Sequence, residues 1–154
     1  ENGIEYALNE VTTAVGAKQA IASTMMVIAG LGGAAGSARH ALKTAYAVSQ
    51  IQPDMLSVLT LRLYKGTQML REFEEGKFEL LSPCGLAEEV RTFLSHIELP
   101  PNRHCLFRSN HISNYVPLKG TLPKDRDRLL QELDVSIVKL SKLTDWEVYT
   151  NMEY

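Results

Sequence analysis

Hydrophobic positions along this chain follow two rhythms. Ile4, Leu8, Val11 and Val15 recur at i, i+4, i+7 and i+11, one face of a helix. Gly16 weakens its end, and with no strand before it the segment reads as the tail of an earlier βα unit. The rhythm then breaks. Met25-Met26-Val27-Ile28-Ala29 runs without a charge into Gly30-Leu31-Gly32-Gly33. A short apolar run bounded by glycine predicts a buried strand that enters a tight loop. Helical spacing returns over 37–50, with Ala38, Ala41, Leu42, Ala45 and Val48 as the expected buried stripe. Ser37 is placed to cap that helix and Pro53 to stop it.

A second strand is expected over 55–63, M-L-S-V-L-T-L-R-L, ending at Tyr64-Lys65-Gly66. Thr67 then caps a short helix closed by Gly76. Ser82-Pro83 opens another helix, since proline is tolerated in a first turn. Leu86, Val90, Phe93, Leu94 and Ile97 form its apolar face, and Glu88, Glu89 and Arg91 are expected to point to water. After Pro100-Pro101 a third strand covers 104–107, followed by a polar loop over 108–119. Pro123 opens a last helical stretch with Leu129, Leu130, Leu133, Ile137 and Leu140 in phase. Residues 1–145 read as one unit, and 146–154 as a tail.

The order is helix, β, α, β, α, α, β, α. Right-handed crossovers make the three strands parallel. This is an α/β protein of consecutive βα units, in which ligands gather at the carboxyl ends of the strands. Residues 30–33, 61–66 and 108–114 should therefore share one rim.

Composition narrows the function classes. Net charge is −2 with a sequence pI near 6.1, so no basic surface recommends nucleic acid or an anionic membrane as partner. No apolar run reaches the ~20 residues that span a bilayer. The two cysteines, Cys84 and Cys105, make neither a disulfide framework nor a metal site and suit free thiols in a reducing cytoplasm. The chain starts at Glu1, without a signal-peptide pattern, and reads as an excised piece.

Candidate chemistry concentrates at the expected rim. The loop of Gly30, Leu31, Gly32 and Gly33 lets backbone approach a ligand closely, and its amides with the helix start near Ser37 would suit an anion. A plain tight βα turn explains the same residues. The loop is neither a phosphate-binding Walker loop, which needs Gly-Lys-Ser/Thr, nor a G-x-G-x-x-G in register. Alternation puts Thr60 and Arg62 on one face of the second strand, Leu61 and Leu63 on the other. Arg62 there needs an anionic partner, either a ligand or a structural salt bridge. The loop Arg108-Ser109-Asn110-His111-Ile112-Ser113-Asn114-Tyr115 is dense in hydrogen-bonding groups. His111 suits acid–base work or metal ligation, or a local hydrogen bond. His104 and Cys105 are adjacent and point to opposite sides of a strand, against a shared metal site. His40 reads as a surface-helix residue. Cys84, just after a helix-opening proline, is a place where a thiol pKa falls. No catalytic triad or carboxylate pair stands out.

The ordered series V-I-A-G-L-G-G, R-H-A-L-K-T-A, I-Q-P-D-M-L-S-V-L-T-L-R-L-Y-K-G-T, E-E-G-K-F-E-L-L-S-P and S-N-H-I-S-N-Y-V-P-L-K-G-T-L-P-K-D resembles the later half of radical SAM enzymes. The resemblance spans about residues 15–133. It implies a TIM-like partial (β/α)6 barrel, of which these units are the C-terminal part. It also implies a [4Fe-4S] cluster on a C-x3-C-x2-C motif, and S-adenosylmethionine on the open iron, cleaved reductively to a 5′-deoxyadenosyl radical. The family's fifth strand commonly bears G-x-I-x-G-x-x-E beside the adenine. Ile28 and Gly30 match its middle, while Met26 replaces the first glycine and Gly33 the glutamate. The resemblance thus assigns Ile28, Gly30, Leu31, Gly32, Thr60, Leu61 and Arg62 to cofactor binding. Asn110, His111 and Asn114 fall on the substrate side.

Cys84 and Cys105 are too few for the cluster, which needs three thiolates at close spacing. The expectation is therefore the C-terminal part of a radical SAM enzyme, silent alone and holding no cofactor by itself. Its partners would be S-adenosylmethionine and the missing N-terminal half of the barrel, and an exposed strand edge would favour self-association. The alternative is a standalone α/β module that binds a nucleotide or a protein through the 30–33 edge.

Overall fold

A computed structural model describes residues 24–143. The helix expected over 4–15 and the 146–154 tail lie outside the described residues. In chain order the elements are β1 (Thr24–Ala29), α1 (Gly33–Ile51), β2 (Met55–Thr60), α2 (Gln68–Glu74), α3 (Pro83–Ser95), β3 (Cys105–Arg108), β4 (Lys119–Leu122) and α4 (Arg126–Leu140). They form a mixed α/β fold whose sheet runs β1-β2-β3-β4. The first three strands are parallel, in register Val27↔Val58 and Leu56↔Phe107. β4 is antiparallel to β3.

Alternation fixes which face each strand offers. Val27, Ala29, Leu56, Val58, Cys105, Phe107 and Leu122 are buried in one cluster with Ala41, Ala45 and Val48 of α1, Leu86, Phe93 and Leu94 of α3, and Leu129 and Leu133 of α4. Burying a side chain of this size stabilises the fold by about 1.5–3 kcal/mol. The opposite face is bare among the described residues. Met26 is 65% exposed, Ile28 40%, Leu106 46% and Met55 36%. Among the described residues, α1, α3 and α4 pack on the same side of the sheet.

Two helix caps form where the sequence places them. Thr67 Oγ1 accepts the Leu70 amide at 3.3 Å, and Ser82 Oγ accepts the Gly85 amide at 3.1 Å with Pro83 in the first turn. Five expectations are corrected. α1 begins at Gly33, four residues early, with Gly32 at its N-cap and no side-chain cap, so Ser37 lies inside the helix. The buried stripe of α1 is Gly33, Ala41, Ala45 and Val48. Ala38 and Leu42 are exposed, because the contact face follows the i, i+4, i+7 row of Ala41, Ala45 and Val48. β2 stops at Thr60, so the alternation argument does not reach Arg62. The loop over 108–119 gives way to a fourth strand, K-G-T-L, which lacks β-branched alternation and pairs only because β3 offers it an edge. Glu89 is buried and does not point to water.

Candidate functional site

The carboxyl ends of β1, β2 and β3 meet at one rim, and hydrogen bonds join them. The Leu61 amide donates to the Ala29 carbonyl at 2.9 Å, linking the ends of β2 and β1. The Thr60 amide donates to Ser113 Oγ at 3.2 Å, and the Thr60 hydroxyl to Asn114 Oδ1 at 3.0 Å. These two bonds carry the loop after β3 across to the end of β2.

The 30–33 turn is shaped by two glycines in the left-handed region. Gly30 has φ +86° and Gly33 φ +62°. A Cβ on Gly33 would stand 2.9 Å from Cε2 of Phe78 and 3.1 Å from the Glu79 carbonyl oxygen. A Cβ on Gly30 would stand 3.0 Å from Cδ2 of Leu86. Glycine is therefore required here by conformation and by close approach together. Most of the turn's polar backbone is engaged internally. Gly33 donates to the Gly30 carbonyl at 3.0 Å, and Ala34 to the Glu79 carbonyl at 2.9 Å. Gly30 N–H donates to Glu89 Oε1 at 2.7 Å. The amides of Leu31 and Gly32 are without an acceptor among the described residues. An anion cradle at the start of α1 is correspondingly disfavoured, since its first two amides are occupied.

Glu89 is where charge and helical periodicity disagree, and periodicity gives the right answer. It is 4% exposed, inside the apolar stripe between Leu86 and Phe93. Its position at i+3 from Leu86 and i−4 from Phe93 was the available signal, because those spacings share a helix face. Ser37 Oγ donates to Glu89 Oε2 at 2.5 Å, and His40 Nδ1 lies 3.0 Å from Oε1. His40 is thus part of an inter-helix polar cluster.

The loop after β3 is built around Asn114. Its amide nitrogen donates to the Val58 carbonyl at 2.8 Å and to Ser109 Oγ at 3.0 Å. Both amide hydrogens and the side-chain oxygen are therefore engaged by protein. Asn110 and His111 are exposed at the loop tip. His111 Nδ1 accepts the Ser113 amide at 3.1 Å, which in the neutral ring leaves the proton on Nε2. Ile28 points from the bare face, Leu31 is exposed at the turn, and Thr60, Leu61 and Arg62 are half-buried beside it. The residues assigned to the cofactor lie on two neighbouring strand ends. Asn110 and His111 belong to the third.

Two small cavities sit under the helices, not on the bare face. One, about 10 Å³, is lined by His40, Thr44 and Glu89 among others; the second, about 20 Å³, by Thr60, Ser109 and Asn114. Each has room for about one water.

The cysteines do not make a metal site. Both are free, and no group of three or more His, Cys, Asp or Glu is placed to hold a metal ion among the described residues. Burial pushes the Cys105 thiol up to about 11, with Asp54 adding to the effect and Arg103 opposing it. His104 is exposed just before β3, where Cys105 is buried. Cys84 corrects an expectation. Its thiol is raised, not lowered, by burial and by the nearby Glu88 carboxylate. Burial is the larger cause, and the negative neighbour adds to it.

Comparison with known proteins finds no matching family model, no matching curated protein and no matching solved structure. No helix among the described residues is long and apolar enough to cross a membrane.

Proposed function

We propose that this chain is the distal part of a TIM-like partial barrel of the radical SAM type, and that its rim holds the adenosyl end of S-adenosylmethionine. The observation that carries this reading is the one-sided sheet. Three consecutive parallel strands with α1, α3 and α4 on one face, among the described residues, suit a barrel wall, with helices outside and strand side chains inside. A doubly wound sheet carries helices on both faces. Met26, Ile28, Met55 and Leu106, exposed here, are the side chains that a closed barrel would enclose.

In this reading Ile28, the turn of Gly30, Leu31 and Gly32, and the neighbouring Thr60, Leu61 and Arg62 hold the nucleoside. The residues fit a neutral, hydrogen-bonding group: an apolar side chain beside two amides that have no acceptor among the described residues. Asn110 and His111 are on the side where substrate enters, and Asn114 holds their loop to β2. The iron–sulfur cluster does not fit this chain, because two separated thiols, one of them deeply buried, cannot supply three thiolates. The cluster belongs to the missing half of the barrel. S-adenosylmethionine, when bound and reduced there, supplies a carbon radical. The residues of this chain bind, orient and shield it. Two free thiols suit a cytoplasmic setting.

The test is biochemical. A C-x3-C-x2-C motif is expected upstream in the same reading frame. The longer chain, reconstituted anaerobically with iron and sulfide and reduced with dithionite, should convert S-adenosylmethionine to 5′-deoxyadenosine and methionine. A frame without the motif, or a reconstituted chain that leaves S-adenosylmethionine intact, overturns the reading.

A further inference from the structure

Glu89 is a buried carboxylate with three donors from two elements. Gly30 N–H comes from the end of β1, Ser37 Oγ and His40 Nδ1 from the first two turns of α1, and the carboxylate itself from α3. A carboxylate buried without such partners would be strongly unfavourable, and charge-assisted bonds of this kind are about twice as strong as neutral ones. The bond to Gly30 spans 59 residues of sequence, so it is tertiary and not a local cap. It also determines what the turn can offer. With its N–H on Glu89 and its carbonyl accepting from Gly33, Gly30 has no backbone donor left for a ligand. Leu31 and Gly32 keep theirs.

We propose that Glu89 is the positioning residue of the rim. Its carboxylate draws the Gly30 amide inward and so presents the amides of Leu31 and Gly32 to the adenosyl group. The role rests on the adenosyl reading above, and goes beyond it by placing control of the turn on a helix remote in sequence. Glu89 touches no ligand in this account. It acts through backbone.

The experiment is amide NMR of the 15N-labelled 154-residue chain, with S-adenosylmethionine at millimolar concentration as probe. In wild type the Gly30 amide should be shifted downfield and protected from exchange. Glu89→Gln keeps the shape with a weaker, uncharged acceptor, so the fold should persist while the Gly30 proton moves upfield and exchanges faster. Glu89→Leu should speed Gly30 exchange about tenfold or more and weaken the S-adenosylmethionine response of Leu31 and Gly32 by a similar factor. Val48→Ala, a core truncation away from the turn, controls for simple destabilisation and should leave that response unchanged. Gly30 protection that is the same in Glu89→Leu, Glu89→Gln and wild type overturns the proposal. So does a Glu89→Leu chain that responds to S-adenosylmethionine as wild type does. A wild-type chain with no response at the rim overturns the adenosyl reading and the positioning role together, which separates the two failures.

Discussion

Replacing Asn114 with alanine should loosen the loop that carries Asn110 and His111. The side chain makes four bonds, to the Val58 carbonyl at 2.8 Å, to Ser109 Oγ at 3.0 Å, and from Thr60 Oγ1 at 3.0 Å and Ser113 Oγ at 3.4 Å. A net hydrogen bond contributes about 1 kcal/mol, and a partner left unsatisfied in a half-buried site costs about as much again. The expected loss is about 2–4 kcal/mol for the set. That is a large share of the roughly 5–15 kcal/mol typical of a whole domain. In a chain of this length it corresponds to a fall in Tm of about 4–16 °C. Urea titration followed by far-ultraviolet circular dichroism measures it, with Asn110→Ala as the exposed control, expected within about 0.5 kcal/mol of wild type. Amide exchange at Thr60, which donates to Ser113, should accelerate in Asn114→Ala but not in the control. If the two variants are equally stable, the loop is not held by Asn114 and the link between the ends of β2 and β3 fails.

Gly33→Ala should destabilise more than Gly66→Ala in a thermal melt. Both have positive φ, but only Gly33 faces a clash, with Phe78 and Glu79, whereas nothing lies within 4 Å of a Cβ on Gly66. The conformation alone costs about 1–2 kcal/mol. Stability should also fall at alkaline pH. The Cys105 thiol is raised from 9.0 to about 11, so the folded chain holds its proton more tightly than the unfolded chain. Its contribution is complete below pH 9 and is lost as pH rises towards 11, by about 2–3 kcal/mol. Denaturant titrations at pH 8 and 10.5 should show this difference shrink in Cys105→Ala. Finally, Met26→Lys should reduce self-association in sedimentation velocity with little change in Tm, since Met26 is mostly exposed on the bare face.

Much of the fold is legible in the sequence because its strongest signals are local. The charge-free run before Gly30, the caps at Thr67 and Ser82 and the spacing of Leu129 and Leu133 depend on neighbours a turn away. The parallel order of β1, β2 and β3 follows from the helices between them. What escapes reading is tertiary. K-G-T-L has little strand character of its own, and only the edge of β3 makes it β4. The charge of Glu89 points to water, although its helical phase places it among Leu86 and Phe93. Its partners, Gly30, Ser37 and His40, lie 49 to 59 residues away. The same distance conceals Asn114, which reads as a substrate-side residue until its bonds to Val58 and Thr60 are seen.

Titration of the 15N-labelled chain with S-adenosylmethionine tests the rim most directly. The account predicts weak, millimolar binding with shifts concentrated at Ile28, Leu31, Gly32, Thr60, Leu61 and Arg62. Shifts centred on the helices instead, no response at the rim, or micromolar binding by this chain without an iron–sulfur half would contradict it.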